Sequence, residues 1–108
     1  MELRDIEYFA VVAEHGNVRR ASETLGLSPP ALSKSLRRLE QSMQAKLVER
    51  TPKGVALTPV GSALLAQVRR LRVALRDIKR EAEDLSQGRA GHLRLGVGAT
   101  TVEQLPGA

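Results

Sequence analysis

Residues 27–40 read LSPPALSKSLRRLE: two prolines followed by an uninterrupted helical pattern. Ser28 is a favoured N-cap, because its side-chain oxygen can accept from an amide two or three residues on. Pro29 then takes the first helical position and Pro30 the second, where backbone amides have no intrahelical acceptor to lose. The pair stiffens the start of a helix without deleting a ladder bond. Beyond it, Leu32, Leu36, Leu39 and Met43 recur at the spacing of a buried stripe. At about 100° per residue, Pro30, Lys34, Arg37 and Gln41 lie opposite that stripe, with Ser33 and Arg38 flanking it. The helix is anchored on one side and basic on the other.

Upstream, Leu3, Ile6, Phe9, Ala10 and Ala13 give residues 3–15 one apolar face. Gly16 is a natural stop, and Asn17 can cap the next helix, VRRASETL, which ends at Gly26. Downstream, LVERTPKGVAL at 47–57 changes period. Val48, Val55 and Leu57 suit short extended segments, and Pro52, Lys53 and Gly54 between them are turn chemistry. A small β-hairpin is predicted, carrying Arg50 on its flank and Lys53 at its tip.

Thr58-Pro59 repeats the cap-then-proline start. After it, Leu64, Val68, Leu71, Leu75, Ile78, Ala82 and Leu85 alternate at four and three residues, the pattern of a coiled-coil seam. A helix from 59 to about 87 would run about 40 Å. Arg69, Arg70, Arg72, Asp77, Lys79, Glu81 and Asp84 make its other faces too charged to bury. With no second helix of comparable length in the chain, the seam predicts a homodimer. Gly88 to Gly91 breaks the helix, and HLRLGVGA at 92–99 alternates like a strand. A lone strand is unstable, so residues 89–108 are expected to begin a second domain that is cut short.

Composition narrows the classes. Of 108 residues, 42% are hydrophobic but only 2% aromatic, Tyr8 and Phe9. A core of Leu, Val, Ile and Ala suits helix packing. The net charge of +5 favours a polyanionic partner. Cysteine is absent, which excludes disulfides and thiolate metal sites. Apolar runs fall short of the roughly 18 residues of a membrane span, and MELRDIEYF lacks the apolar region of a signal peptide. A soluble, cytoplasmic protein with no membrane partner is expected.

No catalytic constellation is readable. His15 and His92 lie far apart with no ligand pattern around them, and His15 reads as a cation near the end of the first helix. Gly96 and Gly98 lack the third glycine of a dinucleotide loop. Ser22, Ser28, Ser33 and Ser35 have no base in a recognisable pattern. No enzyme, metal or cofactor is expected in this chain.

A basic helix face is ordinarily just solvated. Here a short helix, a tight turn into a capped helix bearing Lys34, Arg37 and Arg38, and a basic hairpin stand in order. Together they predict a mainly α fold, a winged helix-turn-helix whose second helix enters the major groove of double-stranded DNA. Three helices and a small hairpin wing would occupy 1–58, and a long linker and dimerisation helix 59–88. The rival reading is a coiled-coil interaction module with a solvated basic face.

MELRDIEYFAVVAEHGNVRRASETLGLSPPALSKSLRRLEQSM, followed by LVERTPKGVALTPVG, closely resembles the DNA-binding domain of LysR-type transcriptional regulators. The resemblance covers residues 1 to about 88, and GHLRLGVGA is similar to the first strand of that family's effector-binding domain. It implies a cytoplasmic regulator that binds A/T-rich interrupted dyads as a dimer of dimers and answers to a small-molecule effector bound outside this chain. It further implies base reading by Ser33 and Lys34, packing of Pro30 near the bases, a base or phosphate contact from Arg37, and phosphate or minor-groove contacts from Arg50 and Lys53. Pro29 stands where many members have a base-reading glutamine, and Val48 where a phenylalanine is common. Arg19 and Arg20 make the second helix more basic than usual, which suggests extra phosphate grip. The candidate DNA-binding set is Asn17, Arg19, Arg20, Ser28, Pro29, Pro30, Ser33, Lys34, Arg37, Arg38, Arg50 and Lys53.

Overall fold

In the computed structural model, residues 1–88 are described. The expected strand at 92–99, His92, the Gly96–Gly98 pair and the whole assignment of 89–108 lie outside the described residues. The elements are α1 (Leu3–His15), α2 (Val18–Leu25), α3 (Pro29–Met43), β1 (Val48–Thr51), β2 (Gly54–Leu57) and α4 (Pro59–Ser86). The predicted fold class, three helices, a hairpin and a long helix, is the one observed.

The expected caps form. Gly16 and Gly26 close α1 and α2 in the left-handed conformation, and the Asn17 side chain accepts from the Arg20 amide. Ser28 accepts from the Ala31 amide at 3.3 Å, with both prolines in the first turn of α3. At α4, Thr58 Oγ1 accepts from the Gly61 amide at 3.0 Å and donates to the Lys46 carbonyl at 2.6 Å. One hydroxyl thus caps a helix and ties it to the segment before β1.

One compact unit spans Met1–Val68. Its core is Phe9, Ala10 and Val12 of α1, Ala21 of α2, Leu32, Leu36 and Leu39 of α3, Leu47, and Leu65 and Val68 of α4. Complete burial of each larger apolar side chain contributes about 1.5–3 kcal/mol. The hairpin is antiparallel with Val48 opposite Leu57 and Thr51 opposite Gly54, so Pro52 and Lys53 form the turn. Val48, Val55 and Leu57 pack against the core, which anchors the hairpin on its inner face. Gly61 lets α4 start here: a Cβ at this position would overlap the Leu47 carbonyl oxygen.

Three features add to or differ from the sequence expectation. First, the opening turns of α4 pack within the compact unit, which runs to Val68. Second, Val68, predicted for the dimer seam, is buried in the core of its own chain, and Leu64 is half-buried against that core. The seam and the inner face of a short docking segment share the same apolar spacing, so periodicity alone could not separate them. Third, the buried side of α1 is centred on Asp5, Phe9 and Val12, while Leu3 is 56% exposed. At 100° per residue Leu3 points about 160° from Asp5, so it cannot share that face.

Asp5 is 1% exposed. Its carboxylate accepts from Ser35 Oγ at 2.6 Å, from Arg38 Nε at 2.9 Å and from Arg38 Nη2 at 2.7 Å. The Arg38 hydrogen bonds hold its pKa at about 2, below the ordinary 3.8, with burial opposing and Ser35 assisting. A carboxylate with a depressed folded pKa binds fewer protons folded than unfolded. Its contribution is therefore complete above about pH 4 and is lost as pH falls towards 2. Because Arg38 is half-exposed, solvent screening keeps that contribution on the order of 1 kcal/mol. Urea unfolding at a series of pH values should show this loss in wild type, and Asp5→Asn should be less stable at pH 7 with a flatter profile from pH 4 to 2.

Candidate nucleic-acid interface

The reading face of α3 forms because its opposite side is committed. Leu32, Leu36 and Leu39 enter the core, and the adjacent Ser35 and Arg38 bond to Asp5. Pro30, Lys34, Arg37 and Gln41 are left exposed, with Ser33 half-buried beside them. The first-turn prolines set the start of this face and leave the Ser28 hydroxyl engaged with the Ala31 amide.

The hairpin stands next to this face. Arg50 Nη2 donates to Ser33 Oγ at 3.4 Å, joining a wing cation to a predicted base-reading residue. A cleft of about 380 Å³ runs between α3 and β1, where the cations Arg37, Lys46 and Arg50 share the lining with Ser33 and the carboxylates of Glu40 and Glu49. A second, also of about 380 Å³, lies between the start of α2 and the wing, lined by Asn17, Arg19, Arg50, Lys53 and Gly54. Arg50 borders both. The fold therefore gathers the start of α2, the outer face of α3 and the hairpin around two clefts, and the charged residues of the one beside α2 are all cations. Elements 30 residues apart in sequence meet there.

Backbone contacts hold the wing. The Val55 amide donates to the Gly16 carbonyl at 3.0 Å, and the Thr58 amide to the Leu47 carbonyl at 3.0 Å. Glu40, near the end of α3, accepts from the Leu47 amide at 2.8 Å and the Val48 amide at 3.4 Å, and lies 3.9 Å from Lys46 Nζ. Glu40 and Lys46 were absent from the sequence-derived set. A glutamate in a charged helix end carries no signal that it will cap the next strand, and Lys46 joins the cleft only once the loop after α3 has turned back.

Of the twelve candidates, Arg38 is employed differently. Its guanidinium forks onto Asp5, and that hydrogen bonding raises its pKa above the ordinary arginine value. The reason is the carboxylate on α1, which a reading confined to the basic pattern of α3 overlooks. Asn17 and Ser28 direct their side-chain oxygens to backbone amides. Arg19 and Arg20 are exposed on α2, with Arg19 3.8 Å from Glu23. Pro29, Pro30, Lys34, Arg37 and Lys53 are exposed, and Arg50 reaches across to Ser33. Among the described residues no cluster of three potential metal ligands occurs, and no helix is long and apolar enough to cross a membrane.

A short helix, a tight turn, a capped helix with an exposed cationic face and a hairpin at its side define a winged helix-turn-helix. Residues 3–62 match the family described as bacterial regulatory helix-turn-helix protein, lysR family, and the chain belongs to that family. It is 39% identical over 97 residues to the SDS degradation transcriptional activation protein of a Pseudomonas strain, covering 90% of this chain and 32% of that protein. It is 36% identical over 102 residues to the HTH-type transcriptional regulator ClcR of Pseudomonas putida, covering 94% of this chain and 35% of that one. The chain thus spans about a third of the length of these relatives. Among solved structures, a BenM DBD/catB site 1 DNA complex aligns with TM-score 0.77 and 27% identity, covering 85% of this chain and 99% of that one. A CbnR DBD–DNA complex aligns with TM-score 0.68 and 36% identity, covering 79% and 99%.

Gly54 governs how closely the wing approaches α1 and α2. Its φ is +135°, and a Cβ would overlap the Gly16 carbonyl oxygen. Gly54→Ala should displace the wing, break the bond from Val55 to Gly16 and lower the unfolding free energy by about 1–3 kcal/mol. Chemical denaturation measures the loss, and unchanged far-ultraviolet circular dichroism would show the helices retained.

Proposed function

We propose that this chain is the DNA-reading part of a transcription regulator, binding an interrupted dyad in double-stranded DNA as a homodimer. The carrying observation is the exposed face of α3, with Lys34 and Arg37 outward and Ser33 joined to Arg50 of the wing. An α-helix fits the major groove, and its outward side chains reach base edges there. Lys34 and Ser33 read bases, and Arg37 contacts a base or phosphate. Arg50, Lys53, Arg19 and Arg20 hold the phosphate backbone or reach the minor groove. Binding and not turnover is the activity, and no cofactor takes part in it. A small-molecule effector acts through parts of the whole protein outside this chain, which works in the cytoplasm and assembles as a tetramer.

One winged unit reads too few base pairs to choose a site in a genome, so two copies are needed. On α4, Leu71, Leu75, Ile78, Ala82 and Leu85 form an exposed apolar line, with Leu71 at 38% and Leu75 at 47% exposure. A second copy's helix would cover it as a coiled coil covers its seam.

DNA titrations at several salt concentrations test the reading. Lys34→Ala should weaken binding to a selected duplex by about 1–3 kcal/mol and flatten discrimination against altered duplexes. The Arg50→Ala, Lys53→Ala double variant should instead weaken binding to all sequences and reduce the steepness of the salt dependence. Salt-insensitive or absent binding by wild type would favour an interaction module whose basic face is merely solvated.

Leu71→Asp places a charge in the seam. The expected product is a folded monomer that binds a full dyad no better than a half-site, read by sedimentation and paired titrations. A variant that stays dimeric would remove α4 from the dimer interface.

A further inference from the structure

The leucine contacts between α3 and the core choose which side of α3 faces inward, but they fix its rotation only coarsely, because dispersion and hydrophobic contact are non-directional. Base reading depends on that setting. A rotation of about 10° moves a side-chain tip about 5–6 Å from the axis by about 1 Å, enough to spoil a hydrogen bond to a base edge. Something directional must hold α3.

The buried carboxylate of Asp5 is placed to do so. It takes bonds from Ser35 and from both faces of the Arg38 fork, two residues one turn apart on α3. A bidentate guanidinium–carboxylate pair fixes orientation as well as distance. Ser35 and Arg38 each follow directly after an outward residue, Lys34 and Arg37. The bonded pair and the reading pair therefore move as one rigid body, offset by about 100° around the helix. The same bonds have a second consequence. Arg38 remains 47% exposed at its side chain yet is tied to a carboxylate 2.7 Å away. Released, it would be one more cation beside Arg37, free to meet any phosphate.

We infer that Asp5 is a specificity-determining positioning residue: through Ser35 and Arg38 it sets the rotation of α3 and withholds Arg38 from indiscriminate phosphate contact. The inference rests on the proposal that α3 reads DNA. Asp5 touches no base or phosphate and acts only through α3.

The test uses the full chain and two duplexes, one enriched from a random-sequence pool by wild type, the other a scramble of equal length and composition. Each is titrated at several salt concentrations with wild type, Asp5→Asn and Arg38→Gln. Asp5→Asn should bind the scramble more tightly than wild type does, with a log–log salt slope steeper by about one phosphate contact. Its preference for the enriched duplex should fall on the order of tenfold. Arg38→Gln should lose preference similarly while keeping the wild-type salt slope, since Arg38 makes no phosphate contact to lose. A purely structural role for Asp5 would lower the melting temperature and leave both preference and slope of the folded protein unchanged, which overturns the inference. A salt slope shallower by about one in Arg38→Gln also overturns it, and that readout decides the matter if Asp5→Asn fails to fold. Wild type that binds both duplexes equally would sink the DNA-reading proposal itself, and this inference with it.

Discussion

A carboxylate buried where α1 meets α3 is the constraint around which this fold is arranged. Desolvating an unpaired Asp5 would cost several kcal/mol, so the chain must bring donors to it, and Ser35 and Arg38 of α3 supply them. Meeting that demand sets α3 against α1 in one orientation. With Ser35 and the Arg38 fork bonded to Asp5 beside Leu32, Leu36 and Leu39, the cations of α3 left without that tie are Lys34 and Arg37. The polar bond and the apolar stripe thus divide the work: the stripe supplies the association, the bond its angle.

The wing follows a different logic. Its strands are short, and a two-stranded hairpin is marginal alone. It is held at several points by backbone bonds, from Val55 to Gly16, from Thr58 to Leu47, and from the amides of Leu47 and Val48 to Glu40. Those anchors come from the α1–α2 turn, from the end of α3 and from the start of α4. The wing's position is therefore a sum over the whole unit, and Arg50 arrives beside Ser33 because of it. Thr58 and Gly61 join the same system, since the hydroxyl of one and the missing side chain of the other let α4 begin against the segment before β1.

Most of the architecture was legible because local chemistry and periodicity agree throughout. Asn17, Ser28 and Thr58 cap the starts of α2, α3 and α4, glycines close α1 and α2, and the change of period at Val48 marks the hairpin, whereas α3 closes on Gln44 in the left-handed conformation without a glycine to announce it. The exposed face of α3 was legible for the same reason, a stripe with charges opposite it. What escaped was non-local. A search for apolar spacing passes over Asp5, although it shares the face of Phe9 and Val12. Arg38 looked like one more cation of the reading face, and Val68 like one more rung of the seam. Both readings are consistent along the chain and are decided only by what lies across it.

The elements, their order and the side of α3 that faces outward follow from spacing of 3.6 or 2 residues and from the stereochemistry of Ser, Pro, Asn and Gly, all of them local properties of the chain. Tertiary structure alone decided which charges remain free to act. Arg38 is tied because Asp5 lies 33 residues away in sequence and 2.7 Å away in space. Arg50 meets Ser33 because several backbone anchors carry the wing there, and Val68 is buried because α4 begins against Leu47. Periodicity records how one segment faces its surroundings. Which partner waits on that face depends on chain closure, and that is a property of the fold as a whole.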